Sequence, residues 1–437
     1  MKKTIPFFLL VIVVILALIY PNETPVNIPA NKIDTGDTAW LLVATALVLL
    51  MTPGLAYFYG GMVRKKNVIS TMLQSLVCMG VITVIWVVFG FSLAFGDDVG
   101  GGLIGNPSTF FMMKGMVGNA VWPLAPTIPL VLFAMFQLKF AVITPALITG
   151  AFSERIRFNS YLVFICLWIV CIYCPLAHST WHPDGFLFKK GVLDFAGGTV
   201  VHMSAGWAAL ASAIFLKRRN AVEHALPARI SYVILGTGLL WFGWFGFNAG
   251  SAGAAGTLAA TALATTTTAS AAAAISWIFF DMFRGKKPSA MGACIGAVVG
   301  LVAITPAAGY VSVTHSLIVG IVAAVISNLV VIWRSRTNID DTLDVFPCHG
   351  VGGMSGILLT GIFASQQVNS ANTTGNGLYY GETKLFLAHL LALASVSIFA
   401  FVGSYILLKI TNAITPMRVS AEDEAIGLDK SQHDEEL

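Results

Sequence analysis

Apolar residues gather along this chain in runs of about twenty, broken by short polar connections, and about twenty residues of α-helix cross the ~30 Å of a hydrocarbon layer. The runs predict spanning helices at about 39–60, 68–95, 124–151, 160–177, 199–216, 230–249, 257–280, 290–304, 314–333, 345–363 and 384–408. A membrane β-barrel would show roughly ten-residue stretches of alternating polarity instead. The expected class is therefore an all-α polytopic membrane protein with eleven transmembrane helices. Ahead of them, residues 1–30 begin MKK, continue IPFFLLVIVVILALIY and give way to PNETPVNIPANK. A basic start, an apolar core and a polar flank are the layout of a signal peptide, with an uncleaved first helix as the alternative because no clean A-x-A site occurs. This divides the chain into a signal-like segment at 1–30, a membrane domain at 31–416 and a tail at 417–437.

Composition agrees: of 437 residues 57% are hydrophobic and 11% charged, and the mean hydropathy is +0.81. The net charge of +4 does not point to nucleic acid, because the basic residues are scattered among short loops. They report orientation. VRKKN (63–67), ERIR (154–157), KRRN (217–220), RGKK (284–287) and WRSR (333–336) fall on one side and place these loops and the tail in the cytoplasm, with residues 34–37 outside. The six cysteines, 78, 166, 171, 174, 294 and 348, all lie in apolar runs. They read as reduced, buried small hydrophobes. Cys171 and Cys174 form a C-x-x-C, but a lipid-buried helix lacks the electropositive, accessible setting of a redox pair.

Ionisable residues inside such runs are expensive and point to function. DFAGGTVVHMSAG (194–206) carries Asp194 and His202, and DVFPCHGVGGMSG (344–356) carries His349 after Asp344. These open the fifth and tenth spans. Two blocks of five spans before a last helix imply that any duplication is inverted in the membrane, which puts binding sites near the midplane at the repeat interface. The two histidines would then converge on a pseudo-two-fold axis, with the flanking glycines allowing close backbone approach. The small, Thr-rich seventh span and Gly296-x-x-x-Gly300 in the eighth read as helix-packing surfaces, the threonine hydroxyls satisfying their own backbone. A water path along the seventh is the alternative. The stretch 96–122 reads as a flexible external loop.

Three aromatic clusters accompany the histidines: FQLKF (136–140), HSTW (178–181) and LLWFGWFGFNAGS (239–251). Each alone fits an interfacial aromatic belt. Together with twin histidines they suggest a cation held on aromatic faces, worth ~0.5–2 kcal/mol, with Ser251 accepting one N–H. With these in view, the sequence closely resembles the ammonium transporter (Amt/Mep/Rh) family, through MTPGLAYFYGGMVRKKNV (51–68), ITPALITGAFSERIRF (143–158), DFAGGTVVHMSAG, GWFGFNAGSA (243–252), DVFPCHGVGG (344–353) and RVSAEDEAIGLD (418–429). Asp194 and Trp181 fit the bacterial Amt branch better than the Rh branch.

The resemblance implies a homotrimer in the inner membrane, each subunit having eleven helices around its own pore after removal of a signal peptide. It implies a recruitment site of Phe136, Phe140, Trp181 and Ser251, a gate of Phe140 and Phe247, a pore pair of His202 and His349, and Asp194 as support for the site. It implies no cofactor or metal, no enzymatic activity, and a PII-type signalling partner at the cytoplasmic face. The family's QGTF is QLKF here. Lys139, about 100° around the helix from Phe140, is expected to snorkel away from the pore.

The expected activity is recruitment of ammonium ion, its deprotonation, and conduction of ammonia, leaving open whether the proton follows separately. Potassium matches ammonium in size and charge but has no N–H to donate and no proton to leave behind. An apolar pore rejects bare ions, and imidazoles supply donor and acceptor nitrogens near neutrality. Two readings from other classes compete: bis-histidine ligation of a haem, and a sensor whose output passes through a bound protein. For the tail, Gly427 is expected to provide a turn that docks it on a neighbouring subunit, against the alternative of a disordered solubilising tail.

Overall fold

The computed structural model describes residues 5–21, 33–220 and 226–437. Lys2, Lys3 and the polar end of the signal-like segment lie outside the described residues. The described part of that segment is a helix, α1 (Ile5–Ile19), whose apolar side chains from Phe7 to Ile19 are largely exposed. Among the described residues there is no β-sheet, only isolated bridges.

Among the described residues, ten helices are long and apolar enough to cross a membrane. They are α2 (Thr35–Met62), α3 (Val68 to Phe95), α4 (Leu130–Phe152), α5 (Phe158 to Trp181), α6 (Gly198–Leu216), α7 (Ile230–Gly250), α8 (Thr257–Phe283), α10 (Val313–Ser335), α11 (Phe346–Phe363) and α12 (Lys384–Ile414). Between α8 and α10 lies α9 (Ala290–Ile304), a 15-residue helix that spans only ~22 Å at 1.5 Å per residue. Its run ends at Thr305, because Pro306 has no N–H with which to continue the ladder, and turns follow as far as residue 310. The predicted start of α4 is also corrected: 124–129 are turns closed by an Ala125 to Trp122 bond of 2.9 Å, and the helix begins after Pro129.

Small residues decide where helices cross. α2 and α7 approach so closely that a Cβ on Gly236 would lie 2.3 Å from the Phe58 nitrogen. At the centre, a Cβ on Gly206 of α6 would lie 2.2 Å from Gly350 of α11. This contact, one turn beyond His202 and next to His349, brings the two histidine-bearing helices together. In α8 the threonines bond their own helix, Thr266 to Ala262 O at 2.5 Å and Thr267 to Leu263 O at 2.8 Å, while Gly300 packs on Ala273. The packing reading of this helix holds. All six cysteines are free thiols, but Cys171 is exposed rather than buried and Cys166 is half-buried; both point outward from α5, which has room for a small apolar side chain on its outer face as well as its inner one.

At the end carrying the basic loops, ion pairs tie the connections together. Glu154 accepts from Arg64 Nε and Arg219 Nη1, both at 2.7 Å, and Arg219 also grips Asp340 through Nε and Nη2 at 2.9 Å each. The tail joins this surface as two short helices, α13 (Ala421–Ile426) and α14 (Leu428–His433). Gly427 turns between them at φ 113°, where a Cβ would lie 2.6 Å from the Lys66 carbonyl. The Asp429 carboxylate accepts the N–H groups of Ile69 and Ser70 at 3.0 and 2.7 Å, capping the start of α3. Glu424 holds Asn220 and Arg418. The turn at Gly427 is as expected, and within this chain it packs on Lys66 and Asn67.

Burial raises the Asp340 carboxyl, yet the hydrogen bonds and charge of Arg219 and the charge of Arg155 outweigh it and hold it at about 2. A carboxyl held below its unfolded value stabilises the fold fully above about pH 4 and loses that contribution as pH falls through the folded value. Asp340→Asn, which leaves the half-buried Arg219 with Glu154 as its one charged partner among the described residues, is expected to cost about 3 kcal/mol, read as a lower thermal midpoint in detergent at pH 7. The gap between variant and native protein should narrow as pH is lowered toward 3; a gap constant with pH would show that the ion pair is not its source.

Candidate functional site

His202 and His349 each sit in a π-helical turn, Gly198–Met203 at the start of α6 and Phe346–Val351 at the start of α11. Such widened turns re-aim side chains inward and recur at functional sites. Both imidazoles are buried, their rings stack at 5.5 Å, and their Nδ1 atoms face each other at 3.4 Å. Only one proton fits between two such nitrogens, so one ring donates and the other accepts. His202 Nε2 has no partner among the described residues. The pair is bonded nitrogen to nitrogen and the voids beside it are of about 10 Å³ each, far too small for a porphyrin, so this geometry does not fit the haem reading.

The turn that opens α6 is built on Asp194. Its Oδ1 accepts from Gly197 N at 2.8 Å and Gly198 N at 2.6 Å, and its Oδ2 from Thr199 N at 2.8 Å and from the Thr199 hydroxyl. Gly197 adopts φ 115°, which admits glycine readily. The buried acid thus satisfies the first N–H groups of a helix that begins inside the molecule. Its main-chain oxygen accepts the Trp181 indole N–H at 3.0 Å, so the same turn orients Trp181.

Above the histidines, Phe140 and Phe247 stack at 4.2 Å, both buried. Phe136 and Trp181 meet Phe140 edge-on at 5.0 and 6.0 Å. Phe136, Phe140 and Trp181 line a vestibule of about 120 Å³ that Ser251 also lines, and Phe247 lines the void on the other side of the stack. Ser251 donates its proton to Phe247 O at 2.7 Å, leaving its oxygen able to accept. Lys139 is half-buried and is not among the vestibule residues. Below the stacked phenylalanines, a void of about 10 Å³, room for about one water, is lined by apolar side chains and the two imidazoles. A second of about 10 Å³ continues past His349 between Phe58, Tyr59, Leu343 and Cys348 toward the basic-loop end. The chain thus brings together all eight residues singled out from sequence: vestibule, stacked pair, and histidines in a narrow apolar line, with Asp194 behind them.

The chain matches known proteins along nearly its whole length. The family model for the Ammonium Transporter Family covers residues 39–437. The chain belongs to that family. A putative ammonium transporter of Methanothermobacter thermautotrophicus is 46% identical over 405 residues, covering 92% of this chain and 98% of the relative. The ammonium transporter of Bacillus subtilis is 43% identical, covering 92% and 98%. Among solved structures, Saccharomyces cerevisiae Mep2 superposes with a TM-score of 0.84 at 36% identity, over 90% of this chain and 89% of that one. A sensor Amt protein superposes with a TM-score of 0.82 at 27% identity, over 91% and 98%. The family and the two relatives from M. thermautotrophicus and B. subtilis are transporters, not enzymes.

One sequence-based pairing is corrected in this family member. Asp344 does not repeat the role of Asp194: it sits at φ 55° and pairs with Arg334, Nη2 to Oδ1 at 2.6 Å. Asp341 repeats it, its Oδ2 accepting the Phe346 N–H at 2.7 Å. The signal was present, since Asp341 precedes His349 by eight residues as Asp194 precedes His202. Sequence reasoning also missed Trp122, from the stretch read as a flexible external loop, which lines the vestibule and stacks on Phe133 at 5.3 Å. It missed Trp244, which stacks on His202 at 5.3 Å; the LLWFGWFGFNAGS cluster contained it without saying which ring faces inward.

Asp194→Ala orphans several buried N–H groups at once. It is expected to cost about 3 kcal/mol or more, seen as a lower thermal midpoint in detergent than for Asp97→Ala in the exposed loop. Equal midpoints for the two variants would show that the cap is dispensable.

Proposed function

We propose that this protein is an ammonium transporter that recruits ammonium ion on the aromatic vestibule, strips one proton from it, and conducts ammonia past His202 and His349 toward the basic-loop end. The observation that carries the reading is the bare imidazole pair, Nδ1 to Nδ1 at 3.4 Å, in an apolar passage under a stacked phenylalanine gate. An ion entering that passage would leave water without gaining a counter-charge, a cost of several kcal/mol. Neutral ammonia carries its hydrogen-bonding groups to nitrogens that can answer them. In this reading Phe136, Phe140, Trp181 and Ser251 bind the cation, Phe140 and Phe247 gate, and Asp194 supports the site without touching substrate.

The same reading counts α9 as the eleventh crossing, shortened because its end turns into the Asp194 site. It takes 1–30 as a signal peptide, the basic loops and tail as cytoplasmic in an inner membrane, and the functional unit as a homotrimer. The paired devices, an acid eight residues before a histidine in a π turn, support two inverted five-helix repeats. The ordered tail, folded over the loops at the passage exit, suits a surface read by a PII-type signalling protein.

Three outcomes test this. Current across a solid-supported membrane carrying proteoliposomes should follow ammonium and not potassium. His202→Glu supplies a fixed carboxylate to a buried cation, and potassium should then compete; His349→Ala should slow or abolish transport. A His202→Glu variant that still carries ammonium current and rejects potassium as strictly as the native chain would place discrimination at the phenylalanine gate and remove the histidines from it.

Trp181→Leu removes a cation–π partner worth ~0.5–2 kcal/mol. Uptake at low ammonium should fall several-fold, with a smaller loss at saturation; equal loss at both concentrations would make Trp181 a packing residue. Deleting residues after Met417 should depress uptake and leave the trimer assembled, as read by native mass and uptake assays. Native uptake together with native PII binding would refute a role for the tail.

A further inference from the structure

The end of α9 does more than stop a helix. Thr305 Oγ1 donates to Leu301 O at 2.7 Å and accepts the indole N–H of Trp244 at 2.9 Å. An indole has one donor and no acceptor, so this bond selects how the buried Trp244 ring lies. The ring stacks on His202 at 5.3 Å with 20° between planes, and touches Phe247 at 5.5 Å. The main chain at the same point is committed as well: Thr305 O accepts the Ala196 N–H and Pro306 O the Phe195 N–H, both at 3.2 Å, immediately after Asp194. Thr305 itself is fully buried and lines neither the vestibule nor the passage.

We propose that Thr305 is a positioning residue for ammonium passage: its hydroxyl holds the Trp244 indole flat against His202 and so keeps the imidazole pair aligned beneath the gate. The inference rests on the histidine pair being the working groups of transport. An imidazole stacked on an indole face keeps one orientation toward its partner nitrogen, and any positive charge that forms on it meets the ring's negative face. Without the hydroxyl, the indole N–H becomes a buried donor with no partner, and the ring is driven to turn and find one. His202 loses the surface that fixes its plane.

The test uses the full chain in proteoliposomes. Thr305→Val keeps the volume and deletes both hydrogen bonds of the hydroxyl. Its ammonium-dependent current at saturation should fall about tenfold, as for loss of a buried hydrogen bond acting in the passage step. The half-saturating concentration should stay within about twofold, because the vestibule is untouched. The pH dependence of the current should shift, which altered packing alone would not produce. Thr305→Ser restores the acceptor and should recover about half or more of the native current. Trp244→Phe removes the donor with Thr305 intact and should reproduce the slowed current, and Thr305→Val added to it should cost nothing further.

Native current in Thr305→Val overturns the proposal, as does equal loss in Thr305→Ser and Thr305→Val. An undiminished effect of Thr305→Val in the Trp244→Phe background also overturns it, by assigning the effect to the Asp194 turn. If Thr305→Val does not assemble, native current in Trp244→Phe overturns it. Absence of ammonium current from the native protein would instead remove the transporter reading itself.

Discussion

A helix that begins inside a membrane protein leaves its first N–H groups without water to bond, and the Asp194 carboxylate collects them. Much else hangs from that one anion. It lets α6 start deep enough for His202 to sit at the core. Its main chain holds the Trp181 indole, and the residues after it are tied to the end of α9. A carboxylate in this position is affordable only because its acceptor sites are filled by fixed donors; an unpartnered acid at the same depth would take up a proton or a counter-ion.

The second histidine is reached by the same means from the opposite end of the molecule. Asp341 receives the Phe346 N–H, α11 starts in a π turn, and His349 arrives opposite His202. The two starts can come this near because Gly206 and Gly350 carry no side chain where α6 and α11 cross. Two helix ends, two acids and one glycine contact therefore fix a nitrogen–nitrogen distance, and neither half specifies it alone.

Most of this architecture was legible in the sequence, for a reason that also explains the exceptions. Apolar runs and isolated histidines are local signals, so the helices and the pair His202 and His349 could be read directly. What depends on the direction of a turn could not. Asp341 and Asp344 are both acids a short way before His349, and only the backbone path decides that the first caps while the second turns outward to Arg334. Trp122 reaches the vestibule from a long loop whose path no periodicity reveals, and the short α9 looks like any other span until Pro306 is seen to turn the chain into the site. The tail's glycine announced a turn, but which surface it meets depends on Lys66 and Asn67, far away in sequence.

The polar groups along the passage divide into those whose bonding capacity is filled and those whose capacity is open. The Asp194 carboxylate is filled by donors of its own turn, and in the proposed reading it offers a passing cation little. The neutral imidazoles are the reverse: bonded to each other, with His202 Nε2 left open. A fixed negative charge in the passage would hold any monovalent cation of the right size, whereas an open neutral nitrogen in an apolar wall rewards only a molecule that brings an N–H or a lone pair of its own. Under the proposed function, closing off the charge and leaving the neutral acceptor open would make the passage selective by chemistry rather than by diameter, so that two cations of equal size could be told apart.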